Sequence, residues 1–450
     1  MTTSWRQSPA RRSRQNLADP QRWLARIVLI AFAALAGLAV VMLNRIGDAA
    51  LAVFFRIWTL YWWAPIVWMP ALTVASLWLT RRFAPGAAGS GIPQVMTALD
   101  PGLDGDERPG FVSLRLSVAK LVLTCLGLLA GLSLGREGPS VQLAAGIMSS
   151  AGDLPGLRLP VKRNALLVAG GAAGIAAAFN APLAGVMFAI EELSRTPEHR
   201  SSGLIISAIV FSGLLAISLQ GNGSYFGVIH AHEIGWTLLL PATLVTVASG
   251  LAGGLFSRLM VLSAGQAQRS SVIRWRAAHP YRFAACCAVL IAVMGILSHG
   301  ATFGTGYHLT RGLLEGTEPG GALITFFKFM ATWLTTLCMV PGGVFAPALT
   351  IGASLGHDIA AWCGVPGTAP LIALGMLGFL VGTTQAPMTA FIIVMEMVDG
   401  HSMIFSLMAC ALLASALSQL VSPPLYVTLS RIQLRGLHRA RARTYRLLQG

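Results

Sequence analysis

The chain has 450 residues, 55% of them hydrophobic and only 11% Asp, Glu, Lys or Arg, where a soluble domain carries about 25% charged residues. Its net charge of +15 sits mostly at the ends: Met1–Arg26 carries six Arg against one Asp, and Arg431–Gly450 carries six Arg and no acid. Basic ends flanking apolar spans exclude a soluble enzyme core and a nucleic-acid surface, and they point to both termini lying in the cytoplasm.

Long uncharged windows follow one another: Ile27–Asn44, Ile57–Thr80, Asn164–Ile190, Ser201–His232, Phe283–Thr310 and His401–Ser430. A bilayer-spanning helix needs about 20 apolar residues, so the sequence predicts an all-α polytopic membrane protein. The polar arm ends in no small-residue cleavage site, which makes the first apolar run an anchor rather than a signal. Residues 1–26 are expected to be a disordered basic arm, 27–430 the membrane domain and 431–450 a basic tail. The polar connections Asp100–Gly110 and Gln266–Pro280 are too short for a soluble domain. Six cysteines lie in apolar stretches, in no metal-binding spacing.

Between Lys120 and Arg136, and again between Glu137 and Asp153, only 15 uncharged residues intervene. Neither stretch spans comfortably. They read as helices meeting inside the membrane, where irregular backbone is tolerated because it lines a cavity. Gly127, Gly131 and Gly135 permit close helix contact.

An internal echo supports interrupted helices. "NAPLAGVMFAIEEL" (Asn180–Leu193) aligns without gaps on "QAPMTAFIIVMEMV" (Gln385–Val398), and Glu191 matches Glu396. Each copy follows a Gly-rich, Pro-containing element. Two such halves, roughly 27–220 and 236–430, are the mark of an inverted-repeat transporter or channel.

Three glycine-rich loops, "GSGIP" (Gly89–Pro93), "GREGP" (Gly135–Pro139) and "GGVFAP" (Gly342–Pro347), each precede a plausible helix start. The first amides of a helix are unpaired and carry partial positive charge, and glycine lets an ion approach the backbone closely. Converging at mid-membrane, such ends hold an anion loosely enough to release it. From the residues alone, Ser90 could instead cap a helix, Tyr426 could anchor at the interface, Glu137 could pair with a neighbouring arginine, and Glu191–Glu192 could be an ordinary helix end.

These loops, with "GAAGIAAAFNAPLAG" (Gly171–Gly185) and "PLYVTL" (Pro424–Leu429), resemble the CLC family of chloride channels and chloride/proton antiporters, of the bacterial type without a cytoplasmic regulatory domain. The resemblance covers roughly Gly86 to Leu429. It implies anion binding by the hydroxyls of Ser90 and Tyr426 and the amides of Val344 and Phe345. Glu137 becomes a gating glutamate whose carboxylate mimics the anion, and Glu192, with Glu191 beside it, the internal proton-transfer site. Lys120 matches a family lysine that adds positive potential or pairs with an acid, and Arg136 belongs to the outer vestibule. Further implications are chloride and proton as transported ions, no cofactor, a homodimer in the lipid bilayer, and a bacterial inner membrane.

Two segments depart from the family pattern: "TLCMVP" (Thr336–Pro341) replaces a Gly-Ser-Gly-rich lead, and "QVMTALD" (Gln94–Asp100) lacks acids found in some exchangers. Ser90 and Tyr426 argue against the fluoride-selective branch. The leading expectation is proton-coupled chloride antiport, and the alternative is a passive chloride channel. An intramembrane serine hydrolase built on Ser90 is remote, since Ala88 stands where the nucleophile turn needs glycine and no histidine partner is evident.

Overall fold

The computed structural model describes residues 20–155, 159, 161–194, 202–221, 223, 225–227, 238–265, 270–365 and 369–449. Residues 1–19, most of the basic arm, lie outside them. The described residues form eighteen α-helices, and their only β-type pairing is one isolated bridge. The first half runs α1 (Pro20–Leu60), α2 (Ala64–Phe83), α3 (Ile92–Ala98), α4 (Leu114–Leu129), α5 (Glu137–Ser150), α6 (Arg163–Phe179), α7 (Pro182–Phe188) and α8 (Ser202–Gln220). The second runs α9 (Leu239–Ala264), α10 (Ser271–Ala278), α11 (Pro280–Leu297), α12 (Tyr307–Glu315), α13 (Ala322–Leu337), α14 (Phe345–Trp362), α15 (Ala369–Thr384), α16 (Pro387–Met397), α17 (Ile404–Val421) and α18 (Leu425–Gln449).

Among the described residues, five helical segments are long and apolar enough to cross a membrane: Trp23–Leu60, Arg108–Leu129, Leu239–Ala264, Pro280–Leu297 and His401–Val421. Many of the other helices are short, for readable reasons. Proline occupies the first turn of α2, α3, α7, α11 and α16, where its missing N–H costs nothing. Asn180 (φ 56°) and Gln385 (φ 60°), matched positions in the echo, adopt the left-handed conformation that ends α6 and α15.

Several sequence boundaries move. The windows ending at Asn44 and beginning at Ile57 belong partly to one 41-residue helix, α1. It continues through Arg45 and Asp48 because both charges are satisfied: Arg45 donates to Leu219 O at 2.7 Å, and Asp48 meets Arg136. The windows Asn164–Ile190 and His401–Ser430 each break into two helices, at Asn180–Ala181 and at Ser422–Pro424. The tail does not begin at 431, since α18 crosses that point as one continuous helix. Within the connection 266–280, α10 forms a short helix.

The core is built on pairs. Helix α5 packs on α6, and α14 on α15. In α5 every residue from Glu137 to Ser149 is buried, and in α15 every residue from Pro370 to Thr384. Small residues allow this: a methyl added at Gly174 would lie 2.5 Å from Ser140 O, and one at Gly352 would lie 2.3 Å from Gly375 O. Backbones that approach so closely leave only their termini free for function, and those termini meet at the centre.

Candidate functional site

The central junction is made of backbone. Gly135 N–H donates to Gly343 O and Gly343 N–H to Gly135 O, both at 2.7 Å, joining the loops that open α5 and α14. Gly342 N–H donates to Gly89 O at 3.0 Å, which brings in the loop that opens α3. The three glycine-rich loops therefore touch. A fourth helix start, that of α18, joins them through Tyr426, whose ring stacks on Phe345 at 5.9 Å and 8°.

Each loop is held from behind. Gly89 (φ 73°) and Gly91 (φ 110°) flank Ser90 in conformations that disfavour a side chain. Lys120, fully buried, donates to Ala87 O at 2.7 Å and to Gly89 O at 2.6 Å. It thus meets two carbonyls and neither an acid nor open space. Gln94 closes the turn, accepting from Gly91 N–H at 3.0 Å and donating to Ala88 O at 2.5 Å. The segment departing from the family pattern in Gln94–Asp100 therefore has a structural task of its own. Gly138 clears the approach: a Cβ there would lie 2.3 Å from Ser90 Oγ.

Glu137 is the first residue of α5 and is 2% exposed. Its Oε2 accepts from Ala346 N–H at 3.4 Å, in the first turn of α14. The carboxylate of one half therefore rests on a helix N-terminus of the other, where partial positive charge favours it. Arg136 does not bind it directly. Its Nη1 donates to Asn44 O and to Asp48 Oδ1, both at 2.7 Å, so the local Arg–Glu salt bridge is not formed.

Ser90 Oγ and Tyr426 Oη are both buried with no hydrogen-bond partner among the described residues. Two unsatisfied hydroxyls in one apolar core are costly, and both stand at the helix starts that meet here: Ser90 lies against Gly138, and Tyr426 stacks on Phe345. Val344 and Phe345 are 2% and 3% exposed at the start of α14. Phe179 packs on Phe345 at 6.1 Å. Ser90, Glu137, Val344, Phe345 and Tyr426 thus converge.

Glu191 and Glu192 lie on a π-helical turn, Ala189–Ser194, that continues α7. Glu192 is 7% exposed. Glu191 turns elsewhere, and both its oxygens accept amide hydrogens from the first turn of α16: Met388 N–H at 3.1 Å and Thr389 N–H at 2.7 Å.

Cavities flank the junction. One, of about 1080 Å³, is lined by Arg136, Asp48, Asn180, Tyr225 and Tyr307. The other, of about 570 Å³, reaches Ala88 and Met339 and is lined by Arg81, Arg274 and Arg276 with no carboxylate. Met339, in the departing Thr336–Pro341 segment, has a φ of 58°. That segment forms the wall of this second cavity and leads into Gly342.

Sequence reasoning missed Asn44, Asp48, Gln94 as a turn residue, and Lys328. Lys328 is a second fully buried lysine, donating to Thr302 O at 3.0 Å and Gly304 O at 2.9 Å. Its signal was present: like Lys120, it stands seventeen residues before the first residue of a central helix.

Comparison with known proteins agrees with this geometry. Residues 71–419 match the family described as "Voltage gated chloride channel". The chain is 33% identical over 408 residues to an H(+)/Cl(-) exchange transporter ClcA of Klebsiella pneumoniae subsp. pneumoniae, covering 86% of this chain and 82% of that protein. It is also 33% identical to a ClcA of Citrobacter koseri, over 82% of this chain and 79% of that one. Among solved structures, a slow cyanobacterial Cl-/H+ antiporter superposes with TM-score 0.77 at 23% identity, covering 91% of this chain and 98% of that one. A CLC-type fluoride/proton antiporter superposes with TM-score 0.73 at 21% identity, over 90% and 97%. The chain is an integral membrane protein with the inverted-repeat CLC fold, and it belongs to the voltage gated chloride channel (CLC) family.

Proposed function

We propose that the protein is a proton-coupled chloride antiporter. The observation that carries the reading is the seat of Glu137: a buried carboxylate resting on the Ala346 amide, at a helix start lined by unpaired donors. A group that holds a carboxylate also holds chloride, and one proton decides which is present. Placing an acid in the bilayer interior costs about 2.5–3.5 kcal/mol on insertion scales, a cost that function offsets. The relatives named as H(+)/Cl(-) exchange transporters support exchange over passive conduction.

In this reading Ser90 and Tyr426 give their spare hydroxyls to the central anion, and Val344 and Phe345 give backbone amides. Glu137 alternates with chloride, and Glu192 takes protons from the other side. The cavity bearing Arg136 is the outer mouth. The cavity bearing Arg81, Arg274 and Arg276 is the inner one, where uncompensated guanidinium groups raise the local anion concentration. Both termini lie in the cytoplasm, the membrane is a bacterial inner membrane, and two copies form a homodimer with a pathway in each chain. The reaction breaks no covalent bond, so the serine hydrolase reading is set aside.

The test is a proteoliposome assay. An imposed chloride gradient should drive protons uphill in the wild type and drive none in Glu137→Gln, while chloride still moves. Chloride flux without proton movement in the wild type would leave a passive channel.

A further inference from the structure

Glu191 and Glu396 hold the same place in the two copies of the echo, nine residues after Pro182 and Pro387. Their contacts are reciprocal. Glu396 accepts from Leu183 N–H at 3.3 Å and Ala184 N–H at 2.9 Å, in the first turn of α7. Glu191 accepts from Met388 N–H at 3.1 Å and Thr389 N–H at 2.7 Å, in the first turn of α16. Each helix ends in the carboxylate that covers the other's beginning.

The physical logic is mutual. First-turn amides have no partner within their own helix, and lipid offers none. An ionised carboxylate in an apolar setting likewise needs donors. Here four amides and four oxygens pair, so neither helix can slide or rotate against the other without uncovering charge. The caps are charge-assisted, hence roughly twice as strong as neutral hydrogen bonds.

The two ends differ in what they carry. Glu396 is followed by the turn at Asp399, which is exposed. Glu191 stands on a π turn beside Glu192, the kind of wide turn found often at functional sites. Glu191 reaches α16, while Glu192 is buried.

We infer that Glu191 and Glu396 are a matched pair of positioning residues, and that the Glu191 cap on α16 fixes the π turn on which the buried Glu192 stands. This assignment rests on Glu192 being the proton acceptor. It takes Glu191 out of the proton path and gives it a geometric duty, and it gives Glu396 the equivalent duty at the far end of the pair.

Two substitutions at Glu191 separate geometry from proton carriage. Glu191→Gln keeps the length and an acceptor oxygen but cannot carry a proton. Glu191→Asp can carry one but falls a methylene short of the amides. In proteoliposomes, the proton-to-chloride ratio of Glu191→Gln should stay within about 2-fold of wild type, since its single oxygen can keep the shorter bond to Thr389 N–H even though Met388 N–H loses its acceptor. That of Glu191→Asp should fall by about 10-fold or more, the scale expected when a reacting group moves by an ångström. Glu396→Asp should lower the thermal midpoint as Glu191→Asp does, yet leave the ratio within about 2-fold, because nothing at that end moves a proton.

The reverse order at Glu191, with Asp coupled and Gln uncoupled, would make it a proton carrier and overturn the inference. Loss of coupling in both variants, retention in both, or uncoupling by Glu396→Asp would overturn it as well. Wild type and Glu192→Gln run in the same liposomes keep the failures apart. A wild type that moves no protons ends the antiport reading, and coupling retained in Glu192→Gln ends the assignment of Glu192.

Discussion

The loop Gly89–Ser90–Gly91 and the loop Gly304–Thr305–Gly306 are built on one plan and do different work. In both, two glycines of positive φ flank a hydroxyl residue. In both, a fully buried lysine, Lys120 or Lys328, donates to a pair of loop carbonyls. The difference lies in what packs in front. Eighteen residues beyond Lys120 stands Gly138, and the same distance beyond Lys328 stands Ala346. Ser90 Oγ looks across Gly138 and has no partner among the described residues, whereas Thr305 Oγ1 accepts from Tyr307 N–H, the first amide of α12, at 3.3 Å. Thr350 fills the space behind the second loop, and a methyl at Gly306 would lie 2.3 Å from its hydroxyl. One loop thus keeps a spare hydroxyl, the one proposed to meet the anion, and the other gives its hydroxyl to its own helix.

A similar asymmetry holds one residue earlier. Glu137 opens α5, and Phe345 opens α14. The scaffold repeats while the acid occurs once. On the proposed reading, a single protonatable gate at the meeting point of two pseudo-symmetric halves lets one event govern one pathway.

The largest effect should come from making the first loop resemble the second. Gly138→Ala places a methyl within 2.3 Å of Ser90 Oγ and 2.8 Å of Ser90 O. Crowding of this kind costs about 1–3 kcal/mol, so chloride flux in proteoliposomes should fall by about 10–100-fold. Flux within a few-fold of wild type would show that Ser90 does not face the ion.

The lysines give a smaller, two-part effect. Lys120→Met and Lys328→Met each leave buried carbonyls without a donor, at about 1–3 kcal/mol per group, and both should lower the thermal midpoint. If Ser90 meets the anion as proposed, only Lys120→Met should also slow chloride flux, because Lys328 holds a loop whose hydroxyl is already paired. Equal slowing by both would remove the functional distinction between the loops.

How much of this was legible in the sequence follows from which groups carry it. The glycine loops were readable because a helix start preceded by glycine is a local backbone property, and Ser90, Glu137, Val344, Phe345 and Tyr426 lie on or beside such starts. The echo was readable because proline and glutamate recur at fixed spacing. What the carboxylates touch was not readable. Glu137 meets Ala346 across 209 positions, and Glu191 meets Thr389 across 198, and only packing brings such residues together. The length of α1 was missed for the same reason. Arg45 and Asp48 break the hydropathy pattern, but Leu219 O and Arg136, each distant in sequence, satisfy them.

The smallest effect lies at the tail. Arg441, near the end of the helix that carries Tyr426 in its first turn, pairs with Glu107 and with Asp104 at 2.7 Å, on the connection after α3. The Arg441 hydrogen bond holds the Glu107 carboxyl below the usual carboxylate range. A depressed folded value means the tie is present above the unfolded value, about 4.3 for Glu. It is lost as pH falls through the folded value. Protection of the α18 amides, taken relative to their intrinsic exchange rate at each pH, should therefore fall as acidification protonates Glu107, and Glu107→Gln should lower it at neutral pH. Exchange that ignores both changes would show the tie to be idle.

The central claim is that Glu137 and chloride compete for one set of amides, and bromide diffraction from Glu137→Gln crystals tests it most directly. The account predicts an anomalous peak within hydrogen-bonding distance of Ala346 N, at the place the wild-type carboxylate fills. Bromide absent from that place, with the Ala346 amide still free of other partners, would contradict it.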